Sequence, residues 1–190
     1  MKYKLGEKIT KGARRFLDAT CRALFALLCE KQFEAITVGE ICDISEYPRA
    51  TFYNYFDDKY DLLAFFLQLI SMHVRRDNTP PRSEKHALDL YFNKLYDLLE
   101  EHEGELDRVL THNSFDGYLF SSCKIYLTSQ IDDVFKDIPP EKRHDIPLDL
   151  LSEHYASTLL LVLGRRFEKK QITTREETKA YIEYLVKPMG

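Results

Sequence analysis

Ile36-Thr37-Val38-Gly39-Glu40-Ile41-Cys42-Asp43-Ile44-Ser45-Glu46-Tyr47-Pro48-Arg49-Ala50-Thr51-Phe52-Tyr53-Asn54-Tyr55-Phe56 reads as two short helices joined by a tight turn. Thr37 is placed to cap the first helix, its hydroxyl accepting from an N–H one turn in, and Val38, Ile41 and Cys42 follow at helical spacing. Pro48 opens the second, because it has no N–H to lose and its φ is already near the helical value. Phe52 and Phe56, four apart, share one face. With that face inward, the helical period turns Arg49, Ala50, Thr51, Tyr53, Asn54 and Tyr55 to the other sides. Such side chains hydrogen-bond phosphates and meet base edges. A helix-turn-helix facing double-stranded DNA is therefore the first expectation.

Outward from this stretch, almost every segment has helical periodicity and nothing alternates long enough for a strand, so an all-α fold is expected. Thr10 is a candidate cap for a first helix running to about Glu30, with Ala23, Leu24, Leu27 and Leu28 in one apolar stripe. Asp58 looks like an N-cap with Asp61 three residues on, and Leu62, Leu63, Phe66, Leu69, Ile70 and Val74 carry that helix to about Arg76. Asp77-Asn78-Thr79-Pro80-Pro81 is the clearest break, since two prolines with polar neighbours cannot continue a helix. The expected division is a helix-turn-helix DNA-binding domain over residues 1–60, a connecting helix at about 58–76, and a helical effector-binding and dimerisation domain over 77–190. In the second part, helices are expected from about Ser83 to Glu103, from Glu105 to Lys136 with a break around Asn113 to Gly117, from Leu148 to about Gln171, and from Thr174 to Val186.

Leu159-Leu160-Leu161-Val162-Leu163 is apolar on every side, and a helix buried all round needs two neighbours, one of which can belong to another subunit. The last helix sets Thr178, Tyr181, Ile182 and Leu185 on one stripe. Two such helices from each of two chains form a four-helix interface with two-fold symmetry, so a homodimer is expected; an ordinary monomer core is the other reading.

The 190 residues carry a formal charge of −4, which does not suit a protein that coats nucleic acid regardless of sequence. Residues 1–22, however, hold Lys2, Lys4, Lys8, Lys11, Arg14, Arg15 and Arg22 against only Glu7 and Asp18. A basic end on an acidic body fits a local phosphate-facing surface, and equally a solvated basic helix face. Cys21, Cys29, Cys42 and Cys123 show no C-x-x-C spacing and read as reduced core thiols. The first residues lack the apolar run of a signal peptide and no stretch is long enough for a bilayer, so a cytoplasmic protein without membrane contact is expected. There is no G-x-G-x-x-G, P-loop or G-x-S-x-G, and the six histidines form no H-E-x-x-H pair. No enzymatic activity, cofactor or metal is expected.

The ordered set Ala23-Leu24, Leu27-Leu28, Lys31, Phe33, Ile36-Thr37-Val38, Ile41-Cys42, Arg49-Ala50-Thr51-Phe52-Tyr53, Phe56, Lys59 and Leu62 resembles the tetracycline-repressor (TetR) family of bacterial transcription regulators over about residues 10–65. The Arg-Ala-Thr-Phe-Tyr and Asp-Lys-Tyr-Asp-Leu-Leu variants look most like members from low-GC Gram-positive bacteria, among them regulators near a dihydroxyacetone-kinase operon activator. The resemblance implies a subunit of about nine helices, a homodimer built through the last two, and a third helix entering the major groove of a palindromic operator. It places Arg49 and Ala50 where family members touch bases, and Thr51, Tyr53, Tyr55 and Lys59 where they touch phosphates; Thr37 begins the second helix, which commonly meets a phosphate. It further implies repression relieved by a small-molecule effector of unknown identity. Tyr91, Phe92, Tyr96, Phe115, Tyr118, Phe120, Tyr126 and Tyr155, with His112, Asn113 and Ser122, are candidates to line an effector cavity, although core packing accounts for each alone.

Two positions depart from the family pattern. Members usually have glycine in the turn and a small polar cap before the third helix, where this chain has Glu46 and Pro48. A left-handed Glu46 is expected to carry about 1–2 kcal/mol of strain. A second reading keeps the helix-turn-helix shape for a partner-binding co-regulator acting mainly through protein–protein contacts, with Glu46 and the acidic body in its favour.

Overall fold

Thr10 begins the described chain, and its Oγ1 accepts from Ala13 N at 3.1 Å, satisfying one of the donors that the first turn of α1 (Lys11–Leu28) leaves open. The computed structural model describes residues 10–74, 84–136, 138, 146–171 and 174–186. The expected boundary at Asp77–Pro81 and the basic residues Lys2, Lys4 and Lys8 lie outside them. Phe16, Leu17, Ala23, Leu24, Leu27 and Leu28 form the buried stripe of α1. Burying a Leu or Phe side chain stabilises by roughly 1.5–3 kcal/mol. This stripe is what holds α2 (Val38–Ser45) and α3 (Arg49–Tyr55), both too short to persist alone, together with α1 as an N-terminal head.

The start of α4 (Lys59–Val74) is capped as its sequence indicated: Asp58 Oδ1 accepts from Tyr60 N at 2.8 Å and Asp61 N at 3.0 Å, and Asp61 Oδ2 from Asp57 N at 3.1 Å. Leu62, Leu63, Phe65 and Leu67 bury α4 against the head, while further along Ser71 Oγ meets the Tyr126 hydroxyl at 2.8 Å in the body. α4 thus belongs to both parts.

The body consists of α5 (Glu84–Glu101), α6 (Glu103–His112), α7 (Tyr118–Lys136), α8 (Leu148–Phe167) and α9 (Arg175–Leu185), making nine α-helices and no strand among the described residues. The long helix expected from Glu105 to Lys136 breaks at residues 113–117, where Gly117 N donates to Ser114 O in a turn. A second core joins these helices through Phe92, Tyr96, Phe135, Tyr155, Ala156 and Leu159. Most of the aromatic residues proposed to line a cavity are packing elements of the two cores. Leu159, Val162 and Leu163 are buried within the subunit, but Leu161 between them is 55% exposed, as are Tyr181 (51%), Tyr184 (78%) and Leu185 (45%) on α9. No helix among the described residues is long and apolar enough to cross a membrane.

Asn113 fastens body to head. It is 4% exposed. Its Oδ1 accepts from Phe33 N at 2.9 Å, and its Nδ2 faces Leu28 O at 3.1 Å, Lys31 O at 3.3 Å and Val109 O at 3.0 Å. Beside it, Glu34 Oε1 accepts from Tyr118 N at 3.0 Å and the Phe33 and Tyr118 rings stack 5.5 Å apart. A cleft of about 180 Å³ lies over this junction, lined in part by Gln32, His112 and Ser114. The other end of α6 is tied to α8 by Glu103, which pairs with Arg166 at 3.1 Å and with Lys170 at 3.0 Å. All four cysteines are free; burial pushes the Cys21 and Cys123 thiols up to about 12.

Candidate nucleic-acid interface

The outward surface of the head is built from the inside. Phe52 and Phe56 are fully buried, their rings 5.4 Å apart and Phe56 a further 5.6 Å from Phe65 of α4. With that face fixed, Arg49, Ala50, Tyr53 and Asn54 are exposed and Thr51 is half-buried. Tyr53 stands edge-on to Phe52 at 5.6 Å, which limits where its hydroxyl can swing. Exposed Lys11, Arg14, Arg15 and Arg22 extend along α1.

The turn between α2 and α3 carries the predicted strain. Glu46 has φ 61° and ψ 29°, the left-handed region, and Tyr47 N closes the end of α2 by donating to Cys42 O at 3.2 Å. Pro48 precedes α3 without a side-chain cap, and its carbonyl accepts from Thr51 N and Phe52 N at 2.9 and 3.2 Å. The missing cap is therefore not replaced by another side chain.

Two of the expected phosphate groups, Thr37 and Lys59, are committed inside the protein, and a third, Tyr55, is partly drawn in. Thr37 forms a capping box with Glu40: its Oγ1 accepts from Glu40 N at 3.3 Å while its hydroxyl and backbone N–H both point to Glu40 Oε2 at 2.9 Å. A hydroxyl has one hydrogen, so none is left for a phosphate in this arrangement. The Lys31 ammonium, joined by the Thr37 groups, holds the Glu40 carboxyl at about 2. Tyr55 is half-buried rather than turned outward, with its ring 4.7 Å from Phe16. Lys59 departs furthest from expectation. Its ammonium donates to Phe33 O at 3.0 Å, Glu34 O at 2.7 Å and Ile36 O at 2.8 Å, over the Phe33 ring at 5.0 Å. Burial lowers its pKa, against the opposing pull of Glu34, Asp58 and Glu40. An ammonium has three hydrogens and all have acceptors here, so Lys59 pins α4 to the chain ahead of α2.

The face left open is therefore narrower than the sequence indicated, and centred on the first turns of α3. Its arrangement, α1 and two short helices on a buried phenylalanine cluster with a fourth helix running into a helical body, matches solved structures along nearly the whole chain. One described as a TetR-family transcriptional regulator from Syntrophomonas wolfei superposes with a TM-score of 0.67, at 15% identity, over 91% of this chain and 94% of that one. The chain has the TetR-family fold. The same TetR architecture is found in the dihydroxyacetone kinase operon activator DhaS (TM-score 0.56, 16% identity, 90% of this chain and 94% of that one) and in the flavonoid-responsive regulator FrrA (0.53, 16%, 93% and 100%). No protein-family model matches the sequence and no curated protein does. At such identities the TetR likeness is one of fold.

One contributor to this site, Glu40, escaped sequence reasoning, and Asn113 was read for a different role. Glu40 was legible as the fourth residue of a Thr-x-x-Glu capping box. Asn113 was named as a candidate cavity residue and does line the cleft, but its part in joining body to head carried no local signal, because its head partners lie 80–85 residues away. Among the described residues no group of three or more His, Cys, Asp or Glu side chains is placed to hold a metal.

Proposed function

We propose that this chain is a sequence-specific DNA-binding transcription regulator, a homodimer acting on a palindromic operator as an effector-responsive repressor. The observation that carries it is the outward face of α3, where Arg49, Ala50, Tyr53 and Asn54 are held exposed by a buried phenylalanine cluster. Arg49 and Ala50 are the proposed base contacts, an arginine fork on guanine being worth roughly 1–3 kcal/mol of discrimination. Thr51, Tyr53 and Asn54, with the exposed basic residues of α1, position the helix on the backbone without reading sequence. The exposed Leu161, Tyr181 and Tyr184 support a two-fold interface through α8 and α9. Such a dimer holds two recognition helices about one DNA turn apart, roughly 34–36 Å. An effector preferring another spacing withdraws them, with α4 carrying the displacement because Lys59 fixes its start to the head and Ser71 meets the body.

The test is selection of bound sequences from a random DNA pool by the purified protein, followed by salt-dependent affinity on the winner for wild type and Arg49→Ala. A two-fold symmetric site, weakened and made less selective by the substitution, supports the proposal. Absence of any enriched sequence overturns it and favours a co-regulator acting through protein contacts, which the exposed Glu46 carboxylate beside α3 would suit.

A further inference from the structure

Gly39 is the second residue of α2, in a first turn that is otherwise well made, yet glycine is among the poorest helix formers. The backbone does not require it, for its φ lies outside the left-handed region where glycine is favoured. What glycine supplies there is space. A Cβ at position 39 would overlap Nη2 of Arg49 and lie 3.3 Å from its Cζ and 3.6 Å from its Nε. The guanidinium of Arg49, ten positions further along the chain and on the next helix, lies across the bare backbone of α2 and buries Gly39.

Arg49 itself is exposed, and among the described residues its guanidinium has no hydrogen-bond or ion-pair partner. A free arginine side chain samples many rotamers, and fixing it on binding costs entropy. Resting one edge of the guanidinium on α2 removes much of that freedom in advance while leaving donors unfilled.

We propose that Gly39 is a specificity-determining residue: it provides the seat that orients Arg49 for a base edge. The inference rests on the DNA-reading function proposed above. The two are separable because the seat predicts a coupling between two named residues, whereas the function predicts only that an operator exists.

The experiment is a double-mutant cycle of wild type, Gly39→Ala, Arg49→Ala and the double variant, each titrated on the selected operator and on operators changed at one base pair at a time, at fixed salt. Gly39→Ala is expected to lose on the order of tenfold discrimination at the same base pair that Arg49→Ala relaxes. The double variant should be no less selective than Arg49→Ala alone. Thermal unfolding of Gly39→Ala should occur at or above the wild-type midpoint, because alanine is the better helix former and the displaced group is the flexible end of a side chain. Wild-type selectivity in Gly39→Ala, or a Gly39→Ala effect that persists undiminished without Arg49, overturns the seat while leaving the operator intact. A wild-type protein that selects no sequence removes the function, and the seat with it.

Discussion

Replacing Asn113 by alanine should cost about 3 kcal/mol of stability. The side chain faces four backbone groups, Phe33 N, Leu28 O, Lys31 O and Val109 O, but Nδ2 has two hydrogens for three carbonyls, so at most three full bonds can be counted. At roughly 1 kcal/mol for each, and with further loss because the amide at residue 33 is left in a buried setting, the cost falls at about 2–5 kcal/mol. Asn113→Asp is nearly isosteric and keeps the acceptor for Phe33 N, yet should be worse than alanine at neutral pH because it turns a carboxylate oxygen toward carbonyls. Its folded pKa is then raised above the ordinary aspartate value. The sign follows: the variant is least impaired at pH below the unfolded pKa and weakens as pH rises through the folded one. Urea unfolding followed by circular dichroism at matched protein concentrations, from about pH 4 upward to about pH 7, measures both effects. A loss below about 1 kcal/mol for Asn113→Ala, or Asn113→Asp equal to wild type at pH 7, would show that the amide does not fasten the head to the body.

Lys59→Ala should lower the unfolding free energy by about 2 kcal/mol, since three carbonyls lose a charged donor, while leaving the slope of log affinity for DNA against log salt unchanged; a slope smaller by about one would instead establish a phosphate contact. Glu46→Gly should raise stability by about 1 kcal/mol, seen as a thermal midpoint roughly 2–4 °C higher, with no such gain for Glu46→Ala, because only glycine relieves the left-handed backbone. Glu40, held at about 2 against an ordinary 4.5, contributes stability that is present above pH 4.5 and is lost as pH falls toward 2; a carboxyl titration by NMR with its midpoint near the ordinary value would contradict the capping box. Leu161→Glu should halve the sedimenting mass if the open faces of α8 and α9 form the subunit interface, and an unchanged mass would place the interface elsewhere.

Helix starts were the most legible part of the fold because a cap acts over three residues: Thr10, Thr37, Asp58 and Thr174 each accept from an N–H within that reach. The left-handed turn at Glu46 was expected on other grounds, from the glycine that the resembling family carries in this turn. Periodicity likewise identified Phe52 and Phe56 as inward, and so the exposed set on α3. It says which face a residue occupies and nothing about what a long side chain does once there. Lys59 lies on a face compatible with phosphate contact, but its butyl stem reaches backbone carbonyls 23–26 residues earlier, and a carbonyl carries no residue identity to read. Tyr55 is half-buried because its ring packs on Phe16 of α1, a contact that the period of α3 alone does not encode.

The four cysteines give this chain its own clocks. Cys21 and Cys42 sit in the N-terminal head, Cys29 at the end of α1 with its Sγ 3.8 Å from Glu105 O of α6, and Cys123 on α7. None is in a disulfide, and at neutral pH Cys21 and Cys123 have almost no thiolate with which to react. Alkylation of the buried Cys21, Cys29 and Cys42 in the native protein must then wait for a local opening, whereas half-buried Cys123 need not, and mass spectrometry of the labelled peptides records the order in which head and junction come apart, with no engineered probe.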